Sequence, residues 1–153
     1  MANPKPSVLI IEARFYGEIS DQLAAGAIAH LEAADIAYER LEVPGVLEIP
    51  LALSIAIKTG MVGAGAKHQG CVALGCIIRG ETSHYDIVAG GSARSLIDIA
   101  VANALPVGNG MLTVENRDQA YLRADPNGKN KGRDAAAACL TLMSIAAHQS
   151  TAP

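Results

Sequence analysis

"CVALGCIIRGETSHYDIV", residues 71–88, decides how this chain is organised. Its first eight residues, Cys71 to Ile78, are apolar or small and suit a strand buried on both faces. Arg79, Glu81, His84 and Asp86 then fall within eight positions, in a chain with only 18% charged residues. Such a burst directly after a hydrophobic strand is either a surface turn or a site. A helix is predicted from about Tyr85 to Ala104, with Pro106 ending it, so the stretch reads as one strand-to-helix unit.

The same unit repeats outward in both directions. Upstream, 7–14 reads as a buried strand and 19–35 as a helix with Ile19, Leu23, Ala27, Leu31 and Ala34 along one stripe. Residues 38–43 follow as a strand stopped by Pro44-Gly45, and 47–60 as a helix that tolerates Pro50 in its first turn. The Gly-rich stretch 61–70 reads as a solvent loop, because its glycines do not join a strand to a helix as a nucleotide fingerprint would. Downstream, 107–114 is a fourth strand, 117–124 a short helix and 125–132 a turn. Residues 134–149 form a last helix with Cys139, Leu142, Met143 and Ala146 inward. Strands and helices alternating at these lengths argue for a parallel sheet covered on both faces: an α/β, flavodoxin-like three-layer αβα sandwich with a four-stranded parallel sheet.

Composition bounds the function. With 153 residues, half of them hydrophobic, residues 1–153 suit a single domain that buries roughly 70% of its unfolded surface, with flexible ends at 1–6 and 150–153. The net charge of −3 and the few aromatics (four Tyr, one Phe, no Trp) provide neither a basic face nor a stacking platform, so nucleic acid is not expected as a partner. The first apolar run, Val8 to Ile11, is four residues long, too short for a signal segment or a membrane span, and a cytoplasmic, non-membrane protein is expected. Cys71 and Cys76 lie five apart in one strand and point to opposite faces, and with Cys139 they read as small buried hydrophobes; no metal site is readable.

In open parallel sheets ligands bind beyond the carboxyl ends of the strands. Arg14-Phe15, residues 44–48, residues 79–84 and Glu115-Asn116 follow the four strands and form one candidate rim. Each residue also has a plainer reading. Phe15 suits a core aromatic, and Glu48 suits a carboxylate that favours a helix N-terminus. Gly80-Glu81-Thr82 suits a helix start, although free N–H groups there also bind anions. His84, Arg123 and Lys131 taken singly are surface charges.

Five blocks together, "ARF" (13–15), "VPGVLEIP" (43–50), "ALGCIIRGETSHYDIV" (73–88), "NGMLTVENRDQA" (109–120) and "NKG" (130–132), resemble the lumazine synthases, the penultimate enzymes of riboflavin biosynthesis. The resemblance runs in order from about residue 8 to 147. It implies a transferase that needs no cofactor or metal and that condenses 5-amino-6-(D-ribitylamino)uracil with 3,4-dihydroxy-2-butanone 4-phosphate. The products are 6,7-dimethyl-8-ribityllumazine, phosphate and water.

Carried onto this chain, the resemblance implies that Phe15 stacks on the pyrimidinedione, that Glu48 accepts hydrogen bonds from the ribityl hydroxyls, and that Val46 and Leu47 line the approach. It implies that backbone groups of Cys76, Ile77 and Ile78 read the ring edge. It also implies that Gly80, Glu81 and Thr82 offer N–H groups to the phosphate, that Arg123 pairs it, that Lys131 adds positive potential, and that His84 moves protons. Asn109 stands where many relatives carry an aromatic, so either it hydrogen-bonds the ring or that wall comes from elsewhere.

The resemblance further implies a homo-oligomer of pentameric rings whose sites are completed by neighbours, in some relatives packed into a sixty-subunit shell, with riboflavin synthase as a further partner. Pro4 and Pro6 donate no ladder hydrogen bonds, which disfavours a leading segment that extends a neighbour's sheet, and so favours the pentamer. Two other classes fit the same residues: a flavin- or lumazine-binding module without catalysis, and a structural shell protein. The set Glu48, Thr82, His84 and Arg123 favours the enzyme, because a ring binder needs neither phosphate contacts nor a proton shuttle.

Overall fold

The structure, a computed structural model, describes residues 5–151. Its elements are β1 (Ser7–Ala13), α1 (Gly17–Ala33), β2 (Ala37–Val43), α2 (Glu48–Lys58), β3 (Gly70–Ile78), α3 (His84–Ala102), β4 (Val107–Val114), α4 (Arg117–Ala124) and α5 (Lys131–Thr151). This is the expected order, with ends displaced by up to three residues. The four strands form one parallel sheet in the order β2-β1-β3-β4, the α/β arrangement of a flavodoxin-like fold. Helices α1, α4 and α5 cover one face, over Val8, Ile10, Val72, Leu74, Cys76, Leu112 and Val114. Helices α2 and α3 cover the other, over Leu9, Ile11, Cys71, Ala73 and Ile77.

The interior strand β1 is buried along its whole length, whereas the edge strand β2 carries Glu39, Arg40 and Glu42 in seven residues. Charges on an edge strand deter pairing with another chain. Cys71 and Cys76 do lie on opposite faces. All three cysteines are free, and burial pushes Cys76 up to about 11, Cys139 up to about 12 and Cys71 higher still, so each is a thiol at neutral pH.

Three expectations need correction. Ala34 is exposed, because α1 ends at Ala33 and the chain turns away through Asp35 at φ +59°. Leu142 is 41% exposed and Ala146 is exposed; α5 instead turns Gly132, Ala135, Ala136 and Cys139 inward. Residues 61–70 are not a free solvent loop. Val62 and His68 are buried, and the ring of His68 lies 2.7 Å from Ser7 Oγ at Nδ1 and 3.0 Å from Glu39 Oε1 at Nε2. Gln69 Oε1 accepts from Ser7 N at 2.9 Å, so these side chains fasten the connection to the amino end of the sheet. At the termini, Pro6 O accepts from Ala37 N, Lys5 pairs with Asp35 at 2.8 Å and α5 runs to Thr151; the rest of 1–6 and 150–153 lies outside what is described.

Candidate functional site at the carboxyl edge of the sheet

Strand order makes the first contribution. In the β1·β3 ladder the last pair is Glu12 with Leu74, while β3 continues to Ile78 against β4. Cys76, Ile77 and Ile78 therefore overhang β1. Peptide groups alternate in direction along a strand, so part of this overhang presents backbone N–H and C=O toward the open β1 side. The overhang lies where the chain crosses from β1 to neighbours on either side, the position at which open α/β sheets hold ligands.

The second wall comes from the turn after β2. A Cβ at Gly75 would lie 2.8 Å from Val46 Cγ2 and 3.3 Å from Ala13 Cβ, so glycine is what lets the turn settle onto β3. Val46 is consequently buried at 6%, Leu47 is 41% exposed, and Glu48 begins α2 half-buried.

The charged burst after β3 divides into two parts. Arg79 is occupied: its Nε donates to Glu115 at 2.9 Å, its Nη1 lies 3.6 Å from Asp86, and its guanidinium sits 4.1 Å from the centre of the Tyr85 ring. The Glu115 contact, chiefly, raises its pKa. Arg79 thus clamps the loop that follows. Gly80, Glu81, Thr82 and His84 are exposed; Thr82 Oγ1 accepts from His84 N at 3.3 Å, and the N–H groups of 80–83 have no acceptor among the described residues. This loop leads into α3 at His84, so its N–H groups sit at the positive end of a helix dipole.

At the exit of β1, Glu12 is a carboxylate with 1% exposure that takes Arg40 through two bonds (2.6 and 2.9 Å) and Arg14 at 3.0 Å. Arg14 also reaches Asp21 on α1, the contact that chiefly raises its pKa. A buried carboxylate is stable only when paired. Here the pairing ties β1, β2 and α1 together immediately before Phe15, which stands 75% exposed.

The remaining residues lie elsewhere. Asn109, Arg123 and Lys131 line a groove of about 340 Å³ on the outer edge of β4, together with Met111, Thr113 and Asp134; none of residues 80–84 lines it. Asn109 Oδ1 accepts from Met111 N at 2.9 Å. Arg123 donates to Gln119 O at 3.2 Å and has no carboxylate partner among the described residues, while Lys131 lies 3.4 Å from Asp134. Within one chain the structure brings Phe15, Val46 to Glu48, Cys76 to Ile78 and Gly80 to His84 to one rim, and sets Asn109, Arg123 and Lys131 apart from it. A larger concavity, about 400 Å³, is lined by residues of the 60–66 loop with Asn103 and Leu105, near the amino end of the sheet. Sequence reasoning passed over Glu12, Tyr16 and Arg117; only Glu12 gave a signal, as a lone carboxylate in an apolar strand.

Taken together, the four-stranded parallel sheet covered on both faces and the overhang at its switch point define a doubly wound α/β protein, with the carboxyl-edge rim as its candidate ligand site. Comparison with known proteins narrows the class. The 6,7-dimethyl-8-ribityllumazine synthase family matches residues 5–147. The chain is 53% identical over 138 residues to the 6,7-dimethyl-8-ribityllumazine synthase of Methylorubrum extorquens (strain PA1), covering 90% of this chain and 79% of that one. It is 50% identical to the same-named protein of Bartonella bacilliformis (92% and 90% covered) and 49% identical to that of Agrobacterium fabrum (92% and 95%). The chain belongs to the 6,7-dimethyl-8-ribityllumazine synthase family.

Proposed function

We propose that the protein is a 6,7-dimethyl-8-ribityllumazine synthase working as a single domain, and that the overhang of β3 beyond β1, flanked by Phe15 and Glu48, is its pyrimidinedione site. A flat ring with donor and acceptor edges suits a strip of backbone N–H and C=O groups, an exposed aromatic suits its face, and a carboxylate suits a polyol tail. The reaction proceeds as the ring's primary amine attacks the ketone and water leaves to form an imine. Proton removal then expels phosphate, and the ribityl-bearing nitrogen closes the second ring with loss of another water. The N–H groups of residues 80–82 with Arg123 receive the phosphate, and His84 moves the protons. Mixing the purified protein with both substrates and following lumazine fluorescence tests this reading. A binder without catalysis or a purely structural shell yields no product.

Arg123 carries a distinct expectation. Arg123→Ala should raise KM for the butanone phosphate about tenfold to a hundredfold, the size of a lost charge-assisted contact, with little change for the pyrimidinedione. Inorganic phosphate should compete against the first substrate alone. Equal losses for both substrates would instead give Arg123 a role in the fold.

The division of the site supports a homo-oligomer. One phosphate would need the exposed loop at 80–82 and the cations at 123 and 131, which line a β4-edge groove that the loop does not share; the β4 edge of a second copy laid against the rim joins them. The apolar outer faces of α2 (Leu51 and Ile55, 63% and 64% exposed) and α3 (Ile87, Ile97 and Val101, 56–75% exposed) supply surface for such packing. We favour a pentamer over a sixty-subunit shell. Light scattering should give a mass near five chains, and co-refolded His84→Ala and Arg123→Ala chains should regain activity at interfaces where both intact halves meet. A megadalton particle would replace the pentamer with the shell, and an active monomer would end the shared-site reading.

A further inference from the structure

Phe15 is 75% exposed, and an exposed aromatic on a turn would ordinarily sample several rotamers. Its ring instead meets that of Tyr16 edge to face, with centroids 4.9 Å apart and planes at 82°. Tyr16 does not share this freedom. It is half-buried against the α1 side of the core, and its carbonyl accepts from Ser20 N at 2.9 Å, which fixes its backbone to the first turn of α1. The guanidinium of Arg117 lies 5.3 Å from the centre of the Tyr16 ring, within cation–π range.

Arg117 is itself held in register. It is the first residue of α4, behind the Asn116 cap, whose Oδ1 accepts from Gln119 N at 2.9 Å. Its charge also reaches Cys76, opposing the upward shift that burial imposes there, and Tyr121, whose hydroxyl donates to Glu18 on α1 at 2.6 Å. The chain of contacts runs from α4 through Arg117 and Tyr16 to Phe15, and so spans from the exit of β4 to the exit of β1 across β3.

We propose that Tyr16 and Arg117 are positioning residues that hold the Phe15 ring at the angle that receives the pyrimidinedione; this rests on the reading of Phe15 as that ring's platform. A role in stability alone does not account for the arrangement. The contacts end on an exposed ring that buries little, and α4 already has its cap in Asn116.

The test measures binding of the lumazine product through its own fluorescence, KM for each substrate and the melting temperature. Tyr16→Leu should weaken product binding and raise KM for the pyrimidinedione about 3- to 10-fold, the worth of an edge-to-face aromatic pair, leaving KM for the butanone phosphate and the melting temperature in place. Tyr16→Phe, which keeps the ring, should restore binding. Arg117→Gln should give a smaller loss, about 2- to 3-fold, and Arg117→Lys an intermediate one. Phe15→Ala separates the two readings. If Phe15→Ala weakens the product severely while Tyr16→Leu and Arg117→Gln do not, the positioning role is overturned and the platform stands. If Phe15→Ala leaves binding untouched, the platform fails and the proposal with it. Equal loss for both substrates with a fall in melting temperature would make Tyr16 and Arg117 parts of the fold only.

Discussion

Alanine at position 108 should cost the fold about 3 kcal/mol, the upper end of what overpacking a core costs, and lower the melting temperature by about 6–12 °C. Gly108 lies in β4 beneath α5. A Cβ there would fall far inside contact with the carbonyl oxygen of Ala135, 2.7 Å from its carbon and 3.3 Å from Cys139 Cβ. A backbone carbonyl inside a helix has no rotamer to give, so relief requires α5 to lift from the sheet. The helix is also fixed on its other side, where a Cβ at Gly132 would overlap the Leu23 carbonyl oxygen of α1 and sit 2.9 Å from its carbon.

Gly70 provides the internal comparison. A Cβ there would meet Cys139 Sγ at 2.7 Å and Met143 Sδ at 2.8 Å, and these are side-chain atoms, the thioether being flexible enough to move. Gly70→Ala should therefore cost about 1 kcal/mol. Thermal unfolding followed by circular dichroism compares the two, and equal melting temperatures would show that α5 is free to shift. The consequence reaches the β4-edge groove, because Lys131 opens α5 and Ala135 and Ala138 line that groove with Arg123.

That contact also marks where sequence reading stops. The order of strands and helices was legible because buried parallel strands leave short apolar runs and their crossover helices leave amphipathic ones, as in 71–78 followed by 85–104. The inward face of α5 was not. Leu142 carries more hydrophobic signal than Gly132 or Ala135, yet α5 approaches β4 and α1 through its smallest residues, and a missing side chain gives no periodicity to read. His68 was missed for a related reason: a buried histidine needs partners, and Ser7 and Glu39 lie 61 and 29 residues away.

The rim itself was legible as the set of segments that follow strands. The separation of Arg123 and Lys131 from residues 80–84 was not, because it depends on β4 being the outer strand, which sequence order leaves open. The strut from Arg117 to Phe15 joins residues about a hundred positions apart and shows no local pattern at all.

His84→Ala should lower kcat about ten- to a thousandfold and leave KM for the pyrimidinedione near its original value. General acid–base groups contribute roughly 10²- to 10⁴-fold, and parts of this condensation, imine formation above all, proceed readily without help, so the low end is expected. The geometry supports a proton carrier. His84 opens α3 exposed on the rim, its backbone N–H is turned to Thr82 Oγ1, and among the described residues its ring has no hydrogen-bond partner that would tie up either nitrogen. An imidazole is a side chain that can both give and take a proton, as the proposed elimination and ring closure require in turn. His84→Gln, which keeps a polar side chain of similar reach but cannot exchange protons in this way, should be as slow as alanine. If glutamine restores turnover, His84 only orients the substrate; if alanine leaves kcat unchanged, the proton transfers belong to water or to the phosphate that is leaving.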